Sequence, residues 1–279
     1  MRRLREIISS AKKLAKSMLM RDTRKRVNLF IVGVQKCGTT SLFKLLVQNE
    51  FVLPAKIKEC HYFDSDKMKE DVNFKNYHHL FRHSFNSKHR YLLDASPDYL
   101  EDELAYKKIY EYNPDARIII MLRNPIERFI SAYNFYFSNI IENLDLIYEQ
   151  YFQYTEKGKA EYTYLKQNGN ITIEDFLEEE MNGGSPIGAL SKGFYFQNIE
   201  KWENTFGKKN VLLLSFEALT NAFTFESEIK KLEKFLSLKL SGKFAKHNTS
   251  VIKNNVPAET IRQLKFLYTN ELLVMNLVS

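Results

Sequence analysis

Apolar residues along this chain fall into short uninterrupted runs separated by longer stretches of mixed polarity. The clearest runs are Leu29-Phe30-Ile31-Val32, Tyr91-Leu92-Leu93, Ile118-Ile119-Ile120-Met121-Leu122 and Val211-Leu212-Leu213-Leu214. Runs that do not alternate predict strands buried on both faces, as in a parallel sheet. Phe51-Val52-Leu53 predicts a shorter fifth strand. Between the runs the period becomes helical. Leu42, Leu45 and Leu46 recur at helical spacing behind Thr39, Thr40 and Ser41, a polar trio that reads as the cap of that helix. Residues 101–112, 226–237 and 257–276 predict amphipathic helices; Pro125 opens another, and one more follows Gly193 and carries Trp202. Residues 65–90 read as irregular, 183–186 as a plain loop, and 139–170 as a helical insertion placed to cover a site. Strands alternating with helices from residue 27 onward predict one α/β domain, a central mostly parallel sheet between layers of helices.

At 279 residues there is room for one substantial core or two small ones. No run of about 18 uncharged apolar residues occurs, so no span of a membrane is expected. The net charge of +7 would suggest nucleic acid, but its distribution argues against that partner. Residues 1–26 hold ten Lys/Arg against Glu6 and Asp22, leaving 31 basic and 32 acidic residues for the rest. The body is therefore near neutral, and the basic character belongs to a tail. Leu4, Ile7, Ile8, Ala11, Leu14, Ala15, Met18 and Leu19 share one helical face there. Two readings stand side by side: an interfacial helix in peripheral contact with anionic lipid, or an ordinary helix packed on the domain or on another subunit. Cys37 and Cys60 give no disulfide framework, and a reducing cytosolic setting is the simplest expectation. His78, His79, His83 and His89 lack the Cys or carboxylate partners of a known ligand set, so surface histidines and no metal are expected.

Candidate chemistry concentrates at Val27–Asn49. A buried strand, a loop framed by Gly33 and Gly38, and a helix N-terminus make an anion cradle, in which backbone N–H groups converge and the helix dipole adds positive potential. The Gly33-x4-Gly38 spacing is that of a nucleotide-binding P-loop. Yet Thr39-Thr40 stands where a Walker loop needs Lys-Ser/Thr, and the lysine lies inside the loop at Lys36. Strand 117–122 ends in Arg123, not in a metal-holding aspartate. A Cys-x5-Arg phosphatase fails as well, since the sixth residue after Cys37 is Phe43. The cradle therefore reads as one that binds phosphate with side-chain cations. Lys58, Glu59 and His61 follow the short strand at its carboxyl edge, where ligands of open α/β sheets sit. In an extended segment Glu59 and His61 would share a face. Cys37 has two readings, a thiol activated by the helix N-terminus and Lys36, or a small loop residue beside the phosphate; the second is favoured.

In order, GVQKCGTTSL, KECHYFD, DASPDYL, MLRNPIERFISAY, and KGFYFQNIEKW with VLLLSFEAL resemble the sulfotransferases that use 3′-phosphoadenosine 5′-phosphosulfate (PAPS), nearest the heparan-sulfate-type carbohydrate branch and its bacterial relatives. The blocks run from about residue 27 to about 238. The resemblance implies a three-layer P-loop-like fold over 27–279, PAPS as co-substrate with no metal, and a carbohydrate or glycoconjugate acceptor. It implies that Lys36, with Cys37, Gly38, Thr39, Thr40 and Ser41, holds the 5′-phosphosulfate, and that Lys36 stabilises the leaving phosphate. Arg123 and Ser131 match the pair gripping the 3′-phosphate, and Gly193 and Tyr195 a block near the same nucleotide. Glu59 matches the base, with His61 assisting or replacing it if Glu59 is held in a salt bridge. There are departures: Ala95 stands where a lysine is frequent, no cysteine follows Cys60, and Lys246–Ser250 only loosely matches the loop over the nucleotide. The basic tail in place of an anchor suggests a bacterial cytoplasmic protein, peripheral at the inner membrane face. Rival readings are a small-molecule or lipid sulfotransferase, a metal-dependent nucleotide kinase, and a non-catalytic nucleotide-binding or membrane-surface protein.

Overall fold

A computed structural model describes residues 26–278 except 66–67, 69–70, 82–84, 151, 155, 243 and 245–255. Residues 1–25 of the expected N-terminal helix, His83 and the Lys246–Ser250 loop lie outside the described residues. In chain order the elements are β1 (Leu29–Gly33), α1 (Thr39–Leu46), β2 (Val52–Pro54), α2 (Lys75–His79), β3 (Tyr91–Ala95), α3 (Ala105–Tyr112), β4 (Arg117–Leu122), α4 (Pro125–Asn134), α5 (Leu144–Gln150) and α6 (Glu156–Gln167). They continue with α7 (Ile173–Met181), α8 (Phe196–Phe206), β5 (Val211–Ser215), α9 (Phe216–Thr220), α10 (Phe225–Leu236), α11 (Ala258–Leu267) and α12 (Thr269–Val278).

The five strands form one sheet in the order β2-β3-β1-β4-β5, and every pairing is parallel. Expected as mostly parallel, the sheet is wholly so. Both faces of β1 are covered and all five of its residues are buried, which is why its sequence does not alternate. The chain leaves β1 toward β2 and β3 on one side, then crosses to β4 and β5 on the other. That reversal opens a crevice at the carboxyl ends of β1, β3 and β4.

Apolar side chains bury in two clusters. The larger surrounds the sheet, with Trp202, Phe30 and Phe63 fully enclosed. The smaller joins α4, α7, α11 and the insertion, with Phe129 and Phe176 stacked at 5.6 Å. A fully buried Phe, Leu or Ile contributes about 1.5–3 kcal/mol, so each cluster anchors its layer. α4 is capped by Asn124, whose Oδ1 accepts from Ile126 N at 3.0 Å and Glu127 N at 3.3 Å, and Pro125 sits at its first position. Beyond α4 the backbone widens into a π-type turn at Phe135–Ile140, then runs through α5 and α6. The helical insertion thus stands where 139–170 predicted it.

Some boundaries differ from expectation. Residues 101–112 give α3 only from Ala105, after a 3-10 turn at Pro97–Leu100. Residues 257–276 are two helices, because Tyr268 leaves the helical path to donate its hydroxyl to Leu190 O at 2.7 Å and pack its ring on Phe194. His78 is no plain surface histidine: its Nε2 lies 2.8 Å from Tyr112 Oη.

Candidate functional site

The loop between β1 and α1 is built by two left-handed residues, Lys36 (φ 70°) and Gly38 (φ 86°). Cys37 N donates to Val34 O at 3.1 Å and closes the turn. A side chain at Gly38 would bring its Cβ to 2.6 Å from the Phe216 ring, so glycine is required for space as well as for φ. Gly38 is itself the N-cap of α1, with no side-chain cap. The expected capping by Thr39, Thr40 and Ser41 is therefore corrected: they form the first turn, where helix N–H groups lack intrahelical acceptors.

Three cations converge on this loop. The Lys36 ammonium lies 3.8 Å from the centroid of the Phe135 ring. Burial, followed by the neighbouring Arg123 charge, lowers its pKa to about 8, against a pull upward from Glu59. Arg123, at the end of β4, donates from Nη1 to Lys36 O at 3.3 Å, lies 4.9 Å over the Phe216 ring and reaches Glu127 at 3.6 Å. Arg128 is fully buried; Nη2 donates to Ala189 O, while Nε and Nη1 find no partner among the described residues. Its charge acts on Lys36 and Cys37. Ser131 lies half-buried on α4, eight residues beyond Arg123. Tyr195 Oη donates to Arg123 O at 2.9 Å and lies 4.0 Å from Cys37 Sγ, tying the loop to β4. Gly193 is packed so closely that a Cβ would lie 2.4 Å from Tyr268 Oη. Burial pushes the Cys37 thiol up to about 12, which agrees with the small-loop-residue reading and opposes an activated thiol.

Across the crevice, Glu59 N donates to Ala95 O at 3.1 Å, which fixes the segment after β2 against β3. Glu59 and His61 both take positive φ, 64° and 46°, so the segment is not extended and the two do not share a strand face. Glu59 is ion-paired with Lys58. Its charge also acts on Lys36 and His61, which places the carboxylate in electrostatic reach of the loop. His61 Nδ1 lies 2.7 Å from Asp64 Oδ2. Burial would lower its pKa, but that hydrogen bond and the Asp64 charge override it and raise the value.

A buried charge cluster adjoins these groups and went unseen in the sequence. Lys192 Nζ lies 3.2 Å from both Asp98 Oδ1 and Glu101 Oε1. Burial disfavours each ion, yet mutual attraction keeps the lysine well above its usual value and holds Asp98 at about 2. Glu161 of α6 faces the same group, and burial pushes its carboxyl up to about 7. The only signals were the quoted Ser-Pro-Asp98 and Lys192-Gly193 blocks, to which periodicity assigns no role. Among the described residues no three His, Cys, Asp or Glu side chains group as a metal site.

A family model for the sulfotransferase domain matches residues 26–273. The chain is 24% identical over 256 residues to carbohydrate sulfotransferase 15 of Homo sapiens, covering 76% of this chain and 44% of that protein. It is 24% identical over 210 residues to heparan sulfate glucosamine 3-O-sulfotransferase 5 of Mus musculus, covering 75% and 52%. It is 21% identical over 267 residues to the membrane-associated sulfotransferase kil1 of Dictyostelium discoideum, covering 76% and 56%. The chain spans about half the length of the curated relatives it matches. The crystal structure of a sulfotransferase from Alicyclobacillus acidocaldarius superposes with a TM-score of 0.62 at 21% identity, over 88% of this chain and 92% of that one, a likeness of fold.

Proposed function

The chain belongs to the sulfotransferase domain family, and from that premise we propose that it moves a sulfuryl group from PAPS to a hydroxyl, or less readily an amine, of a saccharide-containing acceptor. The observation that carries the reading is the convergence on a helix N-terminus of Lys36, Arg123 and the buried Arg128, whose Nε and Nη1 find no partner among the described residues. Such a cluster is costly alone and is offset by an anion. A donor bearing a phosphosulfate and a separate 3′-phosphate suits that chemistry; when bound, it supplies an activated sulfuryl group.

The chain's own residues then divide the work. Lys36, the 37–41 backbone and the α1 dipole hold the 5′ anion, and Lys36 neutralises charge developing on the leaving oxygen. Arg123 and Ser131 hold the 3′-phosphate. Gly193 and Tyr195 act beneath them, Tyr195 by fixing Arg123 O. Glu59 takes the acceptor proton. A second assignment draws support from the Lys58–Glu59 pair: His61, oriented by Asp64, is the base. Residues 27–279 form the sulfotransferase domain, and for the basic tail 1–26 the two readings, contact with anionic lipid or packing on the domain or another subunit, both stay open; among the described residues no helix is long and apolar enough to cross a membrane.

The test is transfer of labelled sulfate from PAPS. Glu59→Gln is expected to lower turnover about 10²–10⁴-fold with adenosine 3′,5′-bisphosphate binding retained. A larger loss in His61→Asn moves the base to His61. Absence of both bisphosphate binding and transfer overturns the reading; a requirement for ATP and Mg²⁺ points instead to the kinase, and tail-dependent function indifferent to Glu59→Gln to a binding protein.

A further inference from the structure

Resting on the sulfotransfer reading, we propose that Asp94 is a positioning residue for the base: through the hydroxyls of Ser96 and Tyr99 it fixes the backbone that carries Glu59 and His61. Asp94, Ser96 and Tyr99 are wholly enclosed, so none of them meets a substrate. Any influence they have on the reaction passes through the segment they hold. That segment needs holding. Glu59 and His61 both take positive φ, and a conformation uncommon outside glycine persists only where its surroundings fix it.

The hydrogen bonds run in one direction. Asp94 lies at the carboxyl end of β3, and its Oδ1 accepts from Ser96 Oγ at 2.8 Å. Its Oδ2 accepts from Tyr77 Oη at 2.8 Å and from Tyr99 Oη at 3.1 Å. With its proton directed to Asp94, a hydroxyl keeps its lone pairs for other donors. Ser96 Oγ accepts from His61 N at 3.4 Å, and Tyr99 Oη accepts from Tyr62 N at 3.0 Å and Phe63 N at 3.5 Å. Glu59 N, bonded to Ala95 O, continues the same seam. Burial pushes the Asp94 carboxyl above its usual value, whereas the three hydroxyls draw it back and favour the ionised form. An ionised carboxylate only accepts, so it sets the sense of all three hydroxyls at once.

The side chains of the segment divide accordingly. Tyr62 and Phe63 enter the core, where Tyr62 stacks on Tyr77 at 4.4 Å and donates to Asp71 Oδ2 at 2.8 Å. The Glu59 and His61 side chains stay accessible, 44% and 35% exposed. Ser65 donates its hydroxyl to His61 O and closes the turn that follows. Both candidate bases therefore ride on backbone whose N–H groups are bonded to the seam that Asp94 orients, whichever of them takes the proton. Asparagine at position 94 would keep the volume but set an N–H₂ donor against Ser96 on one side or against Tyr77 and Tyr99 on the other. In either placement a hydroxyl that anchors the segment must turn its proton toward a backbone N–H.

The test measures backbone amide hydrogen exchange and sulfate transfer in the full chain and in its Tyr99→Phe, Ser96→Ala and Asp94→Asn variants. Exchange of the Tyr62 and Phe63 amides should be about tenfold faster in Tyr99→Phe, and that of the His61 amide in Ser96→Ala, with α1 and β4 protected as before. With labelled PAPS and a chitin or N-acetylheparosan hexamer as acceptor, kcat should fall about 10–100-fold while KM for PAPS and bisphosphate binding hold. That fall should vanish where the base is already gone, so its loss in Glu59→Gln or in His61→Asn identifies the group being positioned. Exchange at 61–63 no faster than elsewhere overturns the inference. So does a kcat loss undiminished in both backgrounds, which marks the network as structural only. If Asp94→Asn fails to fold, the two hydroxyl deletions carry the same test. Faster exchange at 61–63 in a chain that moves no sulfate to either probe removes the sulfotransfer reading and leaves the anchoring in place.

Discussion

Glu161→Gln should change how stability depends on pH. The wild-type carboxyl titrates at about 7 in the folded chain because burial opposes its charge, and Lys192 and Lys157 only partly compensate; its ordinary value is 4.5. The folded state thus keeps a proton that the unfolded chain has lost. This contribution to stability is fully present below pH 4.5 and is lost as pH rises through about 7. Integrating the two titrations from pH 5 to pH 8 gives about 2.5 kcal/mol, at 1.36 kcal/mol per pKa unit. Glutamine fills the same volume and does not titrate. Urea unfolding of both proteins at the two pH values should therefore show the wild type losing about 2.5 kcal/mol more than the variant, on the order of 1 M in midpoint. Parallel losses would refute the reasoning, for they would mean that Glu161 is either solvated or fully neutralised by Lys192.

Gly38→Ala places a side chain at φ 86° and against the Phe216 ring, and should cost about 2–4 kcal/mol in thermal or urea unfolding and abolish bisphosphate binding. The Cys37 thiol, pushed up to about 12 and fully buried, should resist iodoacetamide at pH 8 in the native chain and react once urea unfolds it. Lys36 carries its charge below about 8 and loses it as pH rises through that value, so PAPS affinity should fall by up to tenfold per unit above pH 8, and Lys36→Met should flatten the profile.

Strands were legible wherever burial was symmetric. Leu29–Val32 and Ile118–Leu122 have neighbours on both sides and helices on both faces, which leaves no polar position to interrupt the run. The loop after β1 was legible because Gly38 answers a backbone demand local to the loop, and because Lys36 and Arg123 follow the ends of β1 and β4. Local pattern did not reveal where helices end when the cause lies elsewhere. α12 separates from α11 because Tyr268 reaches Leu190, a contact across 78 positions. Nor did it reveal that Glu59 and His61 leave the extended path, since positive φ is uncommon for any residue other than glycine and no glycine marks the segment.

The sequence by itself determined the α/β order, the parallel sheet and the glycine-framed loop after β1 with its Lys36, because each follows from local periodicity or from a short motif. Tertiary structure alone decided that Arg128 is buried with its Nε and Nη1 unpartnered among the described residues, that Lys192 is sealed between Asp98 and Glu101, and that the buried Glu161 of the insertion feels the charge of that group. Those residues come from four separate segments, and the charge each one bears depends on the water that the others exclude. Burial and mutual Coulomb interaction are properties of the assembled fold, and no spacing along the chain encodes them.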